Sequence, residues 1–334
     1  MKDCVVMRAA FIKTLGPPEN IRYGELPTPE PGPTDVLVDV TAVAVNSVDT
    51  FVRSGLFRTP IVFPFVVGRD LAGTVAATGP GAVGFAVGDP VWCNSLGHGG
   101  RQGAAAERAV VSADRLYHLP QGVDPVRAVA VAHPAATAYL ALFTHGGLRA
   151  GETVLVAGAA GNVGGALVTM AREAGARVIA VAAGHDFDHC RALGADVVVD
   201  YRDPSLNEHI KDSVPHGVDL HIDTSGRNDL TAAVDLCAPR GRIVVLSGAR
   251  SRPVFPVGAF YMKDCTISGF VISHATVAEL AEAAATVNRH LAADRLHPRH
   301  VETHPLSATA DLHSRMEHGE LHGRRAVLRP DLDT

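Results

Sequence analysis

The chain has 334 residues, of which 47% are hydrophobic, 19% charged and 5% aromatic, with 33 glycines and a formal net charge of -5. That length accommodates about two domains at roughly 100 to 200 residues each, with apolar content enough for a core in both, so a disordered or fibrous chain is excluded. The acidic balance excludes a general nucleic-acid binder, and small aliphatic residues with few aromatics fit sheets closely covered by helices.

Residues 8 to about 120 carry short β-branched runs such as Val36–Val40 and Gly73–Ala77, separated by Pro and Gly clusters at Pro27–Pro33 and Gly79–Gly84. This spacing predicts a strand-rich, barrel-like module. From about 125 the pattern changes to strands over 153–157, 177–182, 197–200, 218–222 and 242–246. Helical stretches lie between them, one running to about 173 and others over 187–193, 205–211 and 229–237, which predicts a doubly wound parallel α/β sheet. The tail reads as a strand (265–271), helices (276–290 and 307–317) and a last strand (324–328). These pieces are too few for a third domain and are assigned to the first. The expected division is 1–124 with 266–334 for one domain and 125–265 for the dinucleotide-binding domain.

The five cysteines are odd in number and scattered without a CxxC pair, so neither a disulfide framework nor a structural zinc ribbon is expected. The apolar stretches beside Lys2 and Arg8 are too short for a signal sequence, and a cytoplasmic protein is expected. Ala128–Leu148 lacks Asp, Glu, Lys and Arg, but His133, Pro134, His145 and two glycines interrupt it. It reads as a buried helix, not a membrane span.

The strand ending at Ala157 runs into Gly158-Ala159-Ala160-Gly161-Asn162-Val163-Gly164-Gly165 and an Ala-rich helix. Small residues there let backbone approach a pyrophosphate, which then rests on the N–H groups and positive end of the helix. About twenty residues on, where an acidic side chain would hold a ribose 2'-hydroxyl, the sequence has Ala182-Ala183-Gly184, so NADPH is expected over NADH. No Lys or Arg follows before Cys190. Two readings of His185 and His189 stand side by side: contacts to the 2'-phosphate, or an exposed helix start rich in His and Asp.

On these and further motifs the chain resembles the quinone oxidoreductase (zeta-crystallin-like) branch of the medium-chain dehydrogenase/reductase superfamily over nearly its whole length. The motifs are Met7–Ala10, Ala44–Gly55, Pro64–Gly73, Val87–Val91, Gly151–Arg172, and Gly194–Asp196 leading to Asp200-Tyr201. Asn162 replaces a usual Gly and Thr169 a usual Gln. The resemblance implies a GroES-like β-barrel catalytic domain, a Rossmann domain, an active site in the cleft between them, and a homodimer in which edge strands of two nucleotide-binding sheets pair. It places Tyr201 against the adenine, Thr137 near the nicotinamide, and Ser247 and Gly248 near the nicotinamide ribose. Arg324 and Arg325 fall where relatives carry a basic residue that could reach the cofactor phosphate.

Zinc-dependent relatives hold metal with residues that match Asn46, Arg69-Asp70 and His133 here, and an arginine in such a set opposes a cation. No metal is expected. Hydride delivered to a quinone or an α,β-unsaturated carbonyl leaves negative charge on a remote oxygen, which hydrogen-bond donors or an acid must receive. Asn46 resembles the family's active-site Asn. His133 stands where metal-free relatives commonly have an apolar residue, and it is the other catalytic candidate, against a reading as a core or capping histidine. Phe51 and Phe57 replace tyrosines common in the family, and Arg53 reads as structural. The expected activity is NADPH-dependent, zinc-free reduction of a small hydrophobic quinone or carbonyl substrate, with no nucleic-acid or membrane partner. The alternatives are an enoyl-thioester reductase of polyketide or fatty-acid type and a non-catalytic cofactor-binding or RNA-associated protein.

Overall fold

The computed structural model describes residues 5–333, which leaves Cys4 outside. The chain forms two compact units, residues 5–133 with 280–333, and residues 134–279.

In the first unit, β1 (Val6–Ile12) pairs antiparallel with β2 (Arg22–Pro27). The alternating run of β3 (Asp35–Ala44) is buried along most of its length and leads through Asn46 into α1 (Ser47–Ser54). Then follow β4 (Phe65–Val66), β5 (Asp70–Thr78), β6 (Pro90–Cys93), β7 (Arg108–Ser112) and β8 (Tyr117–His118). Three strands form the order β2-β1-β4, while β3, β5, β6, β7 and β8 belong to a seven-stranded sheet. A Cβ at Gly73 would lie 2.1 Å from the Asp39 carbonyl oxygen, so glycine is what lets β5 press against β3 where their register shifts. Side chains such as Ile12, Val38, Leu71, Val91 and Leu328 make one contiguous core.

Helix α2 (Pro125–Tyr139) continues as a π-helical turn over Leu140–His145. This segment is long and apolar enough to cross a membrane by length and composition, yet most of it is buried inside the protein. A buried helix is what the interrupted apolar stretch predicts.

The second unit alternates β9 (Thr153–Ala157), α3 (Asn162–Glu173), β10 (Arg177–Ala182), α4 (Phe187–Ala192), β11 (Val197–Asp200), α5 (Leu206–Ser213), β12 (Val218–Asp223), α6 (Leu230–Leu236), β13 (Cys237–Val245), α7 (Val257–Met262) and β14 (Thr266–Gly269). All neighbouring pairs are parallel, in the order β11-β10-β9-β12-β13-β14. The order reverses at β9, and with right-handed crossovers such a reversal sends helices to opposite faces, which is the Rossmann arrangement.

The chain then returns through α8 (Val277–Ala292), β15 (Val301–His304), α9 (Thr309–Glu317) and β16 (Arg325–Leu328), with β16 pairing β3 and β15 pairing β16. Two expectations need correction. The strand near 265–271 is the sixth strand of the parallel sheet and does not complete the first unit, because it adds to β13; the boundaries fall at 133/134 and 279/280 instead of 124/125 and 265/266. Strand β13 also reaches back to Cys237, into the stretch read as helix end.

Candidate active site

The turn after β9 sits at the point where strand order reverses, which is where parallel sheets open a crevice for ligands. Gly158 has φ +79°, and its N–H and that of Ala159 donate to the Val181 carbonyl at 3.0 and 3.1 Å, tying the turn to β10. Gly161 caps α3, and Asn162 and Val163 form its first turn, whose N–H groups have no intrahelical acceptor. A Cβ at Gly164 would lie 2.1 Å from the Gly158 carbonyl oxygen, so only glycine permits α3 to start so close to the strand. The Thr224 hydroxyl donates to the Ala157 and Gly158 carbonyls at 2.9 and 3.2 Å, bracing the turn from β12. This cradle fits a dinucleotide pyrophosphate. Ala160 completes it, partly exposed beside buried Ala159.

Two further loops gather at the same strand ends. The Asp223 carboxylate, buried at the end of β12, accepts from Ser225 N, Ser225 Oγ and Asn228 N at 2.6–2.7 Å. Asn228 then donates to the Ser247 carbonyl at 3.0 Å, and Ser247 Oγ donates to the Asp223 carbonyl at 3.1 Å. Ser247 and Gly248 (φ +81°) are thus fixed beside the turn.

At the end of β10, Ala183 is buried and Gly184 N donates to Asp200 Oδ2 at 2.9 Å. His185 is exposed, and its Nε2 lies 3.5 Å from the Asp186 carboxylate, so the ring already has an acidic neighbour. The cationic groups that the sequence reading did not find come from farther along the chain. Arg202 and Arg227 place their guanidinium carbons 5.1 and 4.8 Å from the Tyr201 ring centroid. Arg227 follows β12 and Tyr201 follows β11, so their contact passes the ends of β9 and β10.

In the first unit a buried polar cluster surrounds the start of β5. Asn46 Nδ2 donates to Asp70 Oδ2 at 2.8 Å, Arg325 Nη2 donates to Asn46 Oδ1 at 3.0 Å, and Arg325 Nε donates to the Ala130 carbonyl at 2.8 Å. His133 Nδ1 stands 3.5 Å from Asp70 Oδ1. Asn46 N donates to Asp49 Oδ2 at 2.8 Å. Burial, and then the charge of Asp70, push the Asp49 carboxyl up to about 7, against the pull of Arg69 and Arg325. Burial also lowers both guanidiniums from their ordinary value.

The structure brings Asn46 and His133 together around one carboxylate, but both ends of the Asn46 amide are committed to neighbours. Arg325 is buried in this cluster, its guanidinium bonded to Asn46 and the Ala130 carbonyl, while Arg324 pairs with Glu302. Arg53 is structural, fully buried and bonded to the Gly16 carbonyl and Glu317. Thr137 is buried in α2, one turn beyond His133; Phe51 is exposed at its ring and Phe57 packs on the core. The donors at the zinc positions do not fit a zinc ion. Asn46 turns its N–H to Asp70, two guanidiniums lie within electrostatic reach of the carboxylates, and no group of three metal-ligating side chains forms among the described residues.

Fold and site together define an α/β oxidoreductase with a nucleotide cradle in one unit and a polar cluster in the other. Residues 32–121 match the alcohol dehydrogenase GroES-like domain and residues 162–288 the zinc-binding dehydrogenase family. The chain is 30% identical to human (Homo sapiens) quinone oxidoreductase over 317 residues, 94% of this chain and 95% of that one. It aligns with a Pseudomonas syringae quinone oxidoreductase structure at TM-score 0.86 and 25% identity, over 97% of this chain and all of the other. A mycobacterial structure complexed with NADPH aligns at TM-score 0.84 and 28% identity, over 97% and 100% of the two chains. A Mycobacterium tuberculosis mycocerosic acid synthase-like polyketide synthase is 32% identical over 235 residues, 70% of this chain but 11% of that much longer one. The chain belongs to the quinone oxidoreductase (zeta-crystallin-like) branch of the medium-chain dehydrogenase/reductase superfamily.

Proposed function

We propose that this oxidoreductase is a cytoplasmic, zinc-independent reductase of quinones or α,β-unsaturated carbonyls that uses NADPH in preference to NADH. The observation that carries the reading is the cradle at Gly158–Gly164, where a Cβ on Gly164 would collide with the Gly158 carbonyl oxygen and push the start of α3 away from the turn. Gly161, Asn162 and Val163 would hold the pyrophosphate, Ser247 and Gly248 the ribose beside it, and Thr137 the nicotinamide amide. Tyr201, Arg202 and Arg227 would receive the adenosine end, with the two guanidiniums supplying the positive charge that a 2'-phosphate needs. NADPH bound there supplies hydride. His133 then donates a proton to the oxygen on which charge has developed, and recovers it from water. An enolate or hydroquinone anion is far less basic than an alkoxide, so an acid can serve where an alkoxide would call for a metal.

The test is the initial rate of NADPH and NADH oxidation in EDTA against simple quinones and enones. Metal-independent turnover favouring NADPH is expected; full loss of activity on chelation, or preference for NADH, refutes it. The polyketide synthase match favours a second reading, an enoyl-thioester reductase, which predicts that a crotonyl thioester outperforms every quinone in the same assay.

A further inference from the structure

Pro134 lies inside α2, and proline has no N–H to return to the carbonyl four residues earlier. That carbonyl belongs to Ala130, which is buried and receives Arg325 Nε at 2.8 Å instead. The same guanidinium bonds Asn46 Oδ1 and Asn46 Nδ2 bonds Asp70 Oδ2, while Asp70 Oδ1 stands 3.5 Å from His133 Nδ1, on α2 one residue before the proline, a separation that the proton-donating state would close. The path begins and ends on one helix. It crosses β16, the start of α1 and β5, with Arg325, Asn46 and Asp70 all buried.

We propose that this run of contacts, anchored on the carbonyl that Pro134 leaves open and ending with Asp70 3.5 Å from Nδ1, orients the imidazole of His133 for proton donation, and that Asp70 and Arg325 are its positioning residues. The inference rests on the reading of His133 as the proton donor. Asp70, facing Nδ1, directs Nε2 to the reacting oxygen and offsets the charge of the imidazolium before the proton leaves. In the step, the Nε2–H bond breaks and an O–H bond forms on substrate that has gained hydride. The imidazole left behind is neutral with its proton on Nδ1, and water restores the other. The other titratable or charged groups around these contacts are Asp49 at the first turn of α1, Arg69 before β5, Cys93 at the end of β6 and Arg325 on β16.

The experiment compares Asp70→Asn, Pro134→Ala and His133→Gln with the wild type, by kcat and KM at pH 6 and 8 and by 15N shifts of the His133 ring. Without the carboxylate the imidazolium gives up its proton more readily, so the deficit grows with pH. Asp70→Asn should lower kcat about tenfold at pH 8 and less than about threefold at pH 6, with KM within about twofold. The Nδ1–H tautomer of neutral His133 should give way to a mixture. Pro134→Ala restores an N–H to the Ala130 carbonyl, competes with Arg325 without removing a charge, and should shift the tautomer the same way but less. Loss of kcat equal at both pH values, or a tautomer unchanged in both variants, overturns this positioning role. Full turnover by His133→Gln overturns the donor assignment and this proposal with it, while the NADPH-dependent turnover of quinones or enones by that variant would leave the overall reaction standing.

Discussion

His313 on α9 is 1% exposed, and burial, reinforced by the charge of Arg53, lowers its pKa to about 3. The folded protein therefore keeps it neutral where the unfolded chain protonates it near 6.5. Stability associated with this residue is fully present above the unfolded value and is lost as pH falls toward the folded one. At pH 5 the loss is about 2 kcal/mol. His221, whose pKa burial lowers to about 4, adds in the same direction. Asp49 acts the other way: its carboxyl is raised to about 7, so the stability its protonated form brings is lost as pH rises toward that value. A His313→Gln variant isolates the first term. Between pH 7.5 and pH 5 its urea-unfolding free energy should drop by about 2 kcal/mol less than that of the wild type. Equal drops in the two proteins would show that His313 is not the neutral buried group described.

Among the elements, those set by local pattern were legible from the sequence, and those set by long-range partners were not. Strands 153–157, 177–182 and 197–200 coincide with β9, β10 and β11, since a buried parallel strand shows itself as a short apolar run between breakers. Strand β15 was not legible because Val301–His304 alternates exposed Val301 and Thr303 with half-buried but polar Glu302 and His304, and its pairing is with the distant β16. The place of Arg325 was not legible for a similar reason: what it bonds, Ala130 and Asn46, lies 195 and 279 positions away. No Lys or Arg lies between Ala183 and Cys190, whereas Arg227, in the loop after β12, stands over the Tyr201 ring, and it is the guanidinium proposed for the 2'-phosphate. A charge-assisted contact to phosphate contributes about 1.5–3 kcal/mol, so Arg227→Ala should raise the NADPH dissociation constant by about tenfold or more. NADH, which lacks the 2'-phosphate, should change less than about threefold in the same titration. Parallel losses for both cofactors would place Arg227 against the adenine only and remove it from cofactor selection.

For the molecule as a whole, the two edges of the parallel sheet differ in a way that bears on assembly. Beside β11, the groove lined by Val197, Val198 and Val199 is rimmed by Asp200, Asp203 and Asp212, and acidic side chains along an edge discourage another strand from adding there. Beside β14 the exposed residues are apolar: Ile267 on the strand, Val257, Tyr261 and Met262 on α7, and Val254 and Phe255 in the loop before it. Solvent-facing apolar groups next to an unpaired strand favour burial against a like surface, and a two-fold axis would set β14 antiparallel to its copy and join two six-stranded sheets. A homodimer through β14 is therefore expected at micromolar concentration. Tyr261→Glu with Met262→Glu puts two charges into the buried patch of each protomer while leaving the cradle at Gly158–Gly164 untouched. Sedimentation velocity should show the wild type as a dimer and the double variant as a folded monomer. A wild type that sediments as a monomer, or a variant that remains dimeric, would exclude this edge as the interface.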